Sequence, residues 1–216
     1  MEVLVPYRVD EPKTRLGPTL DAGEREAVAG RMLADVIGVL GSTAADPTIL
    51  ATARPPAPPV DSPPAVEPPV LLDDRPLTEA VNARLAEREP TPEAPQAVVM
   101  ADLALATPSA LERLFDAEGD VVIAPGRGGG TNALVSRHPE FRVDYHGASF
   151  RDHRQACERL GIDLATVDSF RLWTDVDDPA DLVEVLSHAE GRAADWLAER
   201  FRLAVDGGGR VGIERR

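Results

Sequence analysis

The segment VLVPYRVDEPKTRL, residues 3–16, decides how the chain is read. Its first five residues are apolar or aromatic and suit a short buried strand. The remainder is a polar loop broken by Pro12 and, just beyond, by Gly17 and Pro18. Asp21 then stands where a helix cap belongs. Val28, Met32, Val36 and Leu40 recur at four-residue steps, which puts one apolar face on a helix running to about Leu40. A strand, a loop and an amphipathic helix in that order make the first unit of a parallel sheet. The loop also carries Lys13, the one lysine in a chain with 22 arginines. Lysine is a compact point charge on a flexible stem, suited to a phosphate, whereas arginine is a planar fork. Chance survival of a surface lysine explains the same composition equally well, so the rest of the chain has to decide.

Working outward, the same alternation recurs. Thr48–Ala53 reads as a second strand and Val70–Leu72 as a short third, followed by a helix over Leu77–Arg88. Gln96–Met100 (QAVVM) and Val121–Ala124 (VVIA) are continuous apolar runs of the kind buried on both faces. Between them Thr107 caps a helix with Pro108 at its first position, spanning Ser109–Phe115. A strand near Ala133–Val135 follows. Ser149 then caps a helix to about Arg159 that Gly161 stops, Leu164–Val167 is a further strand, and Pro179–Leu186 and Ala193–Phe201 are closing helices. The pattern predicts a single α/β domain over residues 1–201, with a mainly parallel twisted sheet and helices on both faces, and a mobile tail over residues 202–216. One segment interrupts it. Arg54–Pro69 holds eight of the twenty prolines and suits neither a helix nor a central strand. Because the first 53 residues make a poor domain alone, it reads as an extended loop inserted in one domain.

The net charge of −14 is spread along all 216 residues, which argues against nucleic acid or an anionic membrane as partner, since both need a cationic face. Dispersed acidity with almost no lysine suits solubility in concentrated salt, where carboxylate repulsion is screened, and points to a halophile's cytoplasm. The single cysteine, Cys157, has no internal disulfide partner and falls in a helical pattern as a small buried hydrophobe. No run reaches the length of a membrane span, and Met1 is not followed by a signal region. A soluble, cytoplasmic protein is expected. No oligomeric state is set by these residues; a homodimer is one allowed assembly.

Three polar groups follow strand ends, where open α/β sheets place their ligands. The first is Lys13 with Arg15 and Arg8, cations that suit a polyphosphate. The second is Asp102, directly after the buried strand and placed to hold Mg²⁺ or to cap a turn. The third is Asp175 and Asp177, which alternate and so face one way in extended chain, where they suit a shared metal; Asp178 before Pro179 reads as a helix cap and Asp181 as a helix-dipole partner. Between the last two groups lies GRGGGTN, residues 126–132. Its glycines allow backbone N–H groups to close around an anion, with Thr131 and Asn132 adding side-chain hydrogen bonds. Gly147 and Ser149 offer a second anion site at a helix start. Of the four histidines only His153 lies near these loops, and it reads as solvated or capping. No protein nucleophile is needed: cations and a carboxylate-held metal suit direct attack of a substrate phosphate on a nucleotide α-phosphate.

Taken together, VPYRVDEPKTRL, VVMADLALATP, APGRGGGTNAL, HGASFRDH and TDVDDPADL resemble, in that order, the 2-phospho-L-lactate guanylyltransferases. These have the nucleotidyltransferase fold of sugar-nucleotide and molybdenum-cofactor enzymes, a Rossmann-like arrangement. The resemblance covers about Val3–Leu186. It implies transfer of GMP from GTP to 2-phospho-L-lactate with release of pyrophosphate, a step toward coenzyme F-420. It also implies that Lys13 and Arg15 contact GTP phosphates, that Asp102, Asp175 and Asp177 hold Mg²⁺, and that Thr131, Asn132, Gly147 and Ser149 hold the phospholactate. Glu79 and Asn82 would flank base and ribose. The proline-rich insertion departs from the family pattern, and phosphoenolpyruvate is an alternative acceptor among relatives. A nucleotidyltransferase for a phosphosugar or molybdopterin, and a non-catalytic nucleotide-binding regulator on the same fold, are the competing readings.

Overall fold

The computed structural model describes residues 1–55 and 67–216. Seven strands form the main sheet: β1 (Glu2–Tyr7), β2 (Asp46–Ala51), β3 (Val70–Leu72), β4 (Gln96–Val99), β5 (Val121–Pro125), β6 (Thr131–Ser136) and β7 (Leu164–Thr166), in the order β3-β2-β1-β4-β6-β5-β7. All neighbours run parallel except β6, which is antiparallel to both β4 and β5. The helices are α1 (Ala22–Leu40), α2 (Leu77–Arg88), α3 (Pro108–Asp116), α4 (Ser149–Leu160), α5 (Phe170–Trp173), α6 (Asp181–His188) and α7 (Arg192–Arg200). Among the described residues no helix is long and apolar enough to cross a membrane. β2 and β3 pair in parallel, with Ile49 opposite Val70, so the chain on either side of the proline-rich segment belongs to one sheet. Most of that segment, residues 56–66, lies outside the described residues.

The two-residue period of the strands divides the core. Val3, Val5, Ala97 and Val99 face α1 and α3, while Leu4, Val98, Ile123 and Leu134 face the side covered by α2 and α4. Apolar residues on both faces are what make β1 and β4 continuous hydrophobic runs, and they hold the strand ends rigidly enough to carry a site. α1 starts as its sequence predicts: Asp21 accepts from Glu24 N–H at 2.8 Å while the Glu24 side chain accepts from Asp21 N–H at 3.0 Å, a complete capping box. Thr107 likewise accepts from Ala110 N–H, with Pro108 at the first position of α3.

Three local expectations need correction, and one helix cap is new. Residues 202–216 are not a free tail: β8 (Phe201–Val205) and β9 (Val211–Arg215) form an antiparallel hairpin, anchored where Arg215 lies 4.9 Å over the Phe201 ring and pairs with Glu24. Gly207–Gly209, read as a source of mobility, is its turn. Ser149 is the first residue of α4, with Ala148 at the cap position and no side chain capping it. Asp178 does not cap α6, which begins at Asp181; the Asp181 carboxylate is 2 % exposed as a residue and accepts the N–H groups of Asp177 at 2.9 Å and Asp178 at 2.7 Å. Its work is to close the loop before the helix. Finally, α7 is capped from another helix: Asp35 of α1 accepts from Arg192 N–H at 3.0 Å and Ala193 N–H at 2.9 Å.

Candidate active site

The carboxyl ends of β1, β2, β3 and β4 open into a cavity of about 750 Å³ whose wall includes Arg8, Lys13, Arg15, Thr52, Asp102 and Asp177. That volume suits a nucleotide-sized ligand. The loop after β1 enters it in an unusual conformation: Glu11 and Lys13 both have positive φ, 44° and 53°, in the left-handed region that non-glycine residues seldom occupy. This bend turns the Lys13 side chain inward, where it is 14 % exposed. Its ammonium donates to Asp102 Oδ2 and, at 2.9 Å, to Asp177 Oδ1. Burial alone would lower the Lys13 pKa, but the charges and hydrogen bonds of Asp102 and Asp177 outweigh it and hold the ammonium above the ordinary lysine value. Arg15 pairs with the other oxygen of Asp177. Lys13 is thus no chance survivor on the surface: it ties the β1 loop to the ends of two distant segments.

The three-carboxylate metal set expected at Asp102, Asp175 and Asp177 is not assembled. Among the described residues no three His, Cys, Asp or Glu side chains gather in a metal-holding group; Asp177 is paired with both Lys13 and Arg15, and one oxygen of Asp102 with Lys13. Two carboxylates nonetheless fit a divalent cation. Asp102 Oδ1 is buried without a hydrogen-bond partner. Burial, together with repulsion from Asp102 and Asp177, raises the Asp175 pKa. An orphaned carboxylate oxygen beside a carboxylate that resists ionisation is the electrostatic signature of a place for added positive charge.

A second group lies around the start of α4. Phe150 N–H donates to Gly129 O at 3.1 Å, so the amino end of this helix is tied to the 126–130 loop, with Ser149 beside Gly130 and Ala148 beside Gly129. The glycine loop is not the open anion cradle that its pattern predicts. The N–H groups of Gly126, Arg127 and Gly129 are taken by Gly130 O, Trp173 O and Gly126 O. Nor is Asn132 free for a ligand: its side-chain amide donates to Leu172 O at 3.0 Å, Trp173 O at 3.1 Å and Asp175 Oδ1 at 3.3 Å. Asn132 is therefore the post that supports the Asp175 loop. Gly126 is glycine because a Cβ there would lie 2.4 Å from Asn132 Oδ1. Asn82 is also diverted, donating to Val143 O at 2.9 Å and accepting from Val143 N–H at 2.8 Å, and neither it nor Glu79 lines the cavity.

Two participants escaped the sequence reading. Arg127 pairs with Asp181, linking the glycine loop to the loop that carries Asp175 and Asp177. His153, expected to be solvated, is fully buried; burial lowers its pKa to about 4, although Asp144 and Asp152 act to raise it. The only sequence signal for either was position, since Arg127 lies in GRGGGTN and His153 four residues into a helix that Ser149 starts.

Comparison with known proteins matches this arrangement. A family model described as guanylyl transferase, CofC-like, matches residues 1–209. The 2-phospho-L-lactate guanylyltransferase of Halomicrobium mukohataei is 56 % identical over 215 residues, covering 100 % of both chains. The enzyme of the same name from Natronomonas pharaonis is 55 % identical over 217 residues, again covering 100 % of both. Among solved structures, a Desulfovibrio desulfuricans protein described as a nucleotide-diphospho-sugar transferase superposes with a TM-score of 0.69 at 16 % identity, covering 92 % of this chain and 94 % of that one. A nucleotidyl transferase from Methanothermobacter thermautotrophicus gives 0.54 at 13 %, covering 87 % and 96 %. Those two likenesses concern the fold. With the family match over nearly the whole length, the chain belongs to the CofC-like guanylyl transferases.

Proposed function

We propose that this protein transfers the GMP part of GTP to 2-phospho-L-lactate, giving lactyl-2-diphospho-5′-guanosine and pyrophosphate, as a step in coenzyme F-420 biosynthesis. The single observation that carries the reading is the Lys13 ammonium held between Asp102 and Asp177 at the mouth of a nucleotide-sized cavity. The names of relatives identical at 55–56 % over the full length supply the substrates. A phosphate oxygen of the acid attacks the α-phosphorus, a P–O bond forms, and the bond to the β-phosphate bridging oxygen breaks to release pyrophosphate. Lys13 and Arg15 neutralise charge that builds on the leaving group, and Arg8 lines the same wall. The loop anchored by Asp181 keeps Asp177, and through it both cations, in place. Asp102 and Asp175 are the residues that would hold Mg²⁺, which when bound offsets negative charge on the reacting phosphates. Thr131, Gly147 and Ser149 lie outside the lining of that cavity and are the residues proposed to hold the acceptor acid.

The protein is read as one adapted to concentrated salt in a halophile's cytoplasm, from its net charge of −14. The test is pyrophosphate release in molar KCl with Mg²⁺, crossing GTP, ATP and CTP against phospholactate, phosphoenolpyruvate and sugar phosphates. Turnover is expected with GTP and phospholactate. Turnover with GTP and phosphoenolpyruvate alone moves the acceptor assignment, and none with either three-carbon acid overturns the proposal.

A further inference from the structure

We propose that His153 is a positioning residue that fixes the Thr131 hydroxyl as a hydrogen-bond donor to an anionic oxygen of the acceptor substrate, an inference that rests on the function proposed above. Two contacts constrain one ring. Asp144 N–H donates to His153 Nε2 at 2.8 Å, so Nε2 must carry a lone pair. His153 Nδ1 lies 2.9 Å from Thr131 Oγ1. The ring is completely buried, packed edge-on against Tyr145 at 5.3 Å and Phe141 at 6.0 Å between centroids, an apolar setting that disfavours imidazolium. Asp144 and Asp152 are the charged groups that oppose this, and burial prevails over them. The neutral ring therefore holds its proton on Nδ1 and donates it to Thr131 Oγ1.

The consequence falls on Thr131. Its oxygen accepts from the histidine, so its own hydrogen is directed elsewhere, and among the described residues it meets no acceptor. Thr131 is 4 % exposed, which makes an unused donor there costly without a ligand. The residue opens β6 directly after the glycine loop, beside Gly130, and Ser149 Oγ approaches the position of a Gly130 Cβ at 4.0 Å. A buried O–H aimed away from a locked histidine suits a carboxylate or phosphate oxygen, both of which the proposed acceptor carries. A ring of the other tautomer would instead take the hydroxyl proton and leave Thr131 as an acceptor that repels the same oxygen.

Two measurements test this on the whole protein. In long-range ¹H–¹⁵N spectra of the substrate-free enzyme, His153 should show a protonated Nδ1 and an unprotonated Nε2, unchanged from pH 8 down to about 5. A protonated Nε2 overturns the proposal whatever the substrates prove to be. In kinetics, His153→Phe should raise the KM for the acceptor acid on the order of tenfold, the scale of one buried hydrogen bond, while the KM for GTP stays within about twofold. His153→Asn, which returns an N–H near the Nδ1 position, should recover part of that loss. Thr131→Val should resemble His153→Phe, and the double variant should be no worse than Thr131→Val alone. Additive effects, or equal rises in both KM values, mean that His153 serves packing only and sink the proposal. The wild-type substrate panel separates this from failure of the functional reading, since the cycle is run with whichever acid supports turnover.

Discussion

At the scale of single residues, the site is governed by which carboxylates already have a cation. Asp177 has two, Lys13 and Arg15, Asp102 shares Lys13, and among the described residues Asp175, which feels the charge of Asp102, has none. Asp175→Asn should therefore raise the melting temperature of the cation-free protein by a few °C while abolishing turnover, as measured by calorimetry and pyrophosphate release. The sign follows from the raised pKa: ionising Asp175 costs stability above the ordinary carboxylate range, and the amide removes that cost. Lys13 offers the opposite case. Its stem ends between two acceptors, so a planar guanidinium at this strained backbone position cannot meet both in the same way. Lys13→Arg should lower kcat on the order of 100-fold and the melting temperature by a few °C, with an unchanged far-ultraviolet spectrum. A variant with wild-type kcat would return Lys13 to a structural role. His153 adds a pH dependence. Because its folded pKa is depressed to about 4, the fold binds fewer protons there than the unfolded chain, so its contribution to stability is complete above about pH 6.5 and declines as pH falls toward 4. Urea unfolding should show wild type losing stability over that window, and His153→Phe losing less.

At the scale of elements, α7 shows how a helix start can be supplied from outside. Asp35 accepts two N–H groups at its amino end and pairs with the Arg192 guanidinium at 3.2 Å. Asp35→Ala should destabilise the protein by about 2–3 kcal/mol, visible as a fall in melting temperature of roughly 5–10 °C. The loss should also loosen the β8–β9 hairpin, because Phe201 packs in the same cluster as Trp196 and Leu197. Elements that depend only on near neighbours were legible in the sequence: the Asp21 capping box, the Thr107–Pro108 start of α3, and the apolar runs of β1, β4 and β5. Those settled by distant contacts were not. Asn132 looks like a ligand until Leu172 and Trp173 come to it from forty positions away, and residues 202–216 look like a tail until Arg215 reaches Glu24. The same reason hid part of the work of Asp181, whose donors Asp177 and Asp178 are close in sequence but whose partner Arg127 lies 54 positions away.

At the scale of the whole molecule, helix and strand alternation predicted a mainly parallel sheet, but not that β6 would insert antiparallel between β4 and β5. That insertion brings Thr131 and Asn132, at the start of β6, to the carboxyl end of β4, from which the chain runs on to Asp102. Dispersed charge makes a separate forecast. With −14 spread over 216 residues, raising KCl from about 0.1 M to about 2 M should raise the melting temperature by screening self-repulsion. A flat or falling trend would remove the salt-adapted reading without touching the fold. The ion pair at the centre of the site also has a bearing on synthesis. Lys13 meets Asp102 across 89 positions and Asp177 across 164, so during synthesis its partners arrive long after it does. Local helices and the β1–β2 pair are free to form early, whereas these long loops must close before the lysine is neutralised. The Lys13 cluster is therefore assembled only after the segment that carries Asp177 has been made.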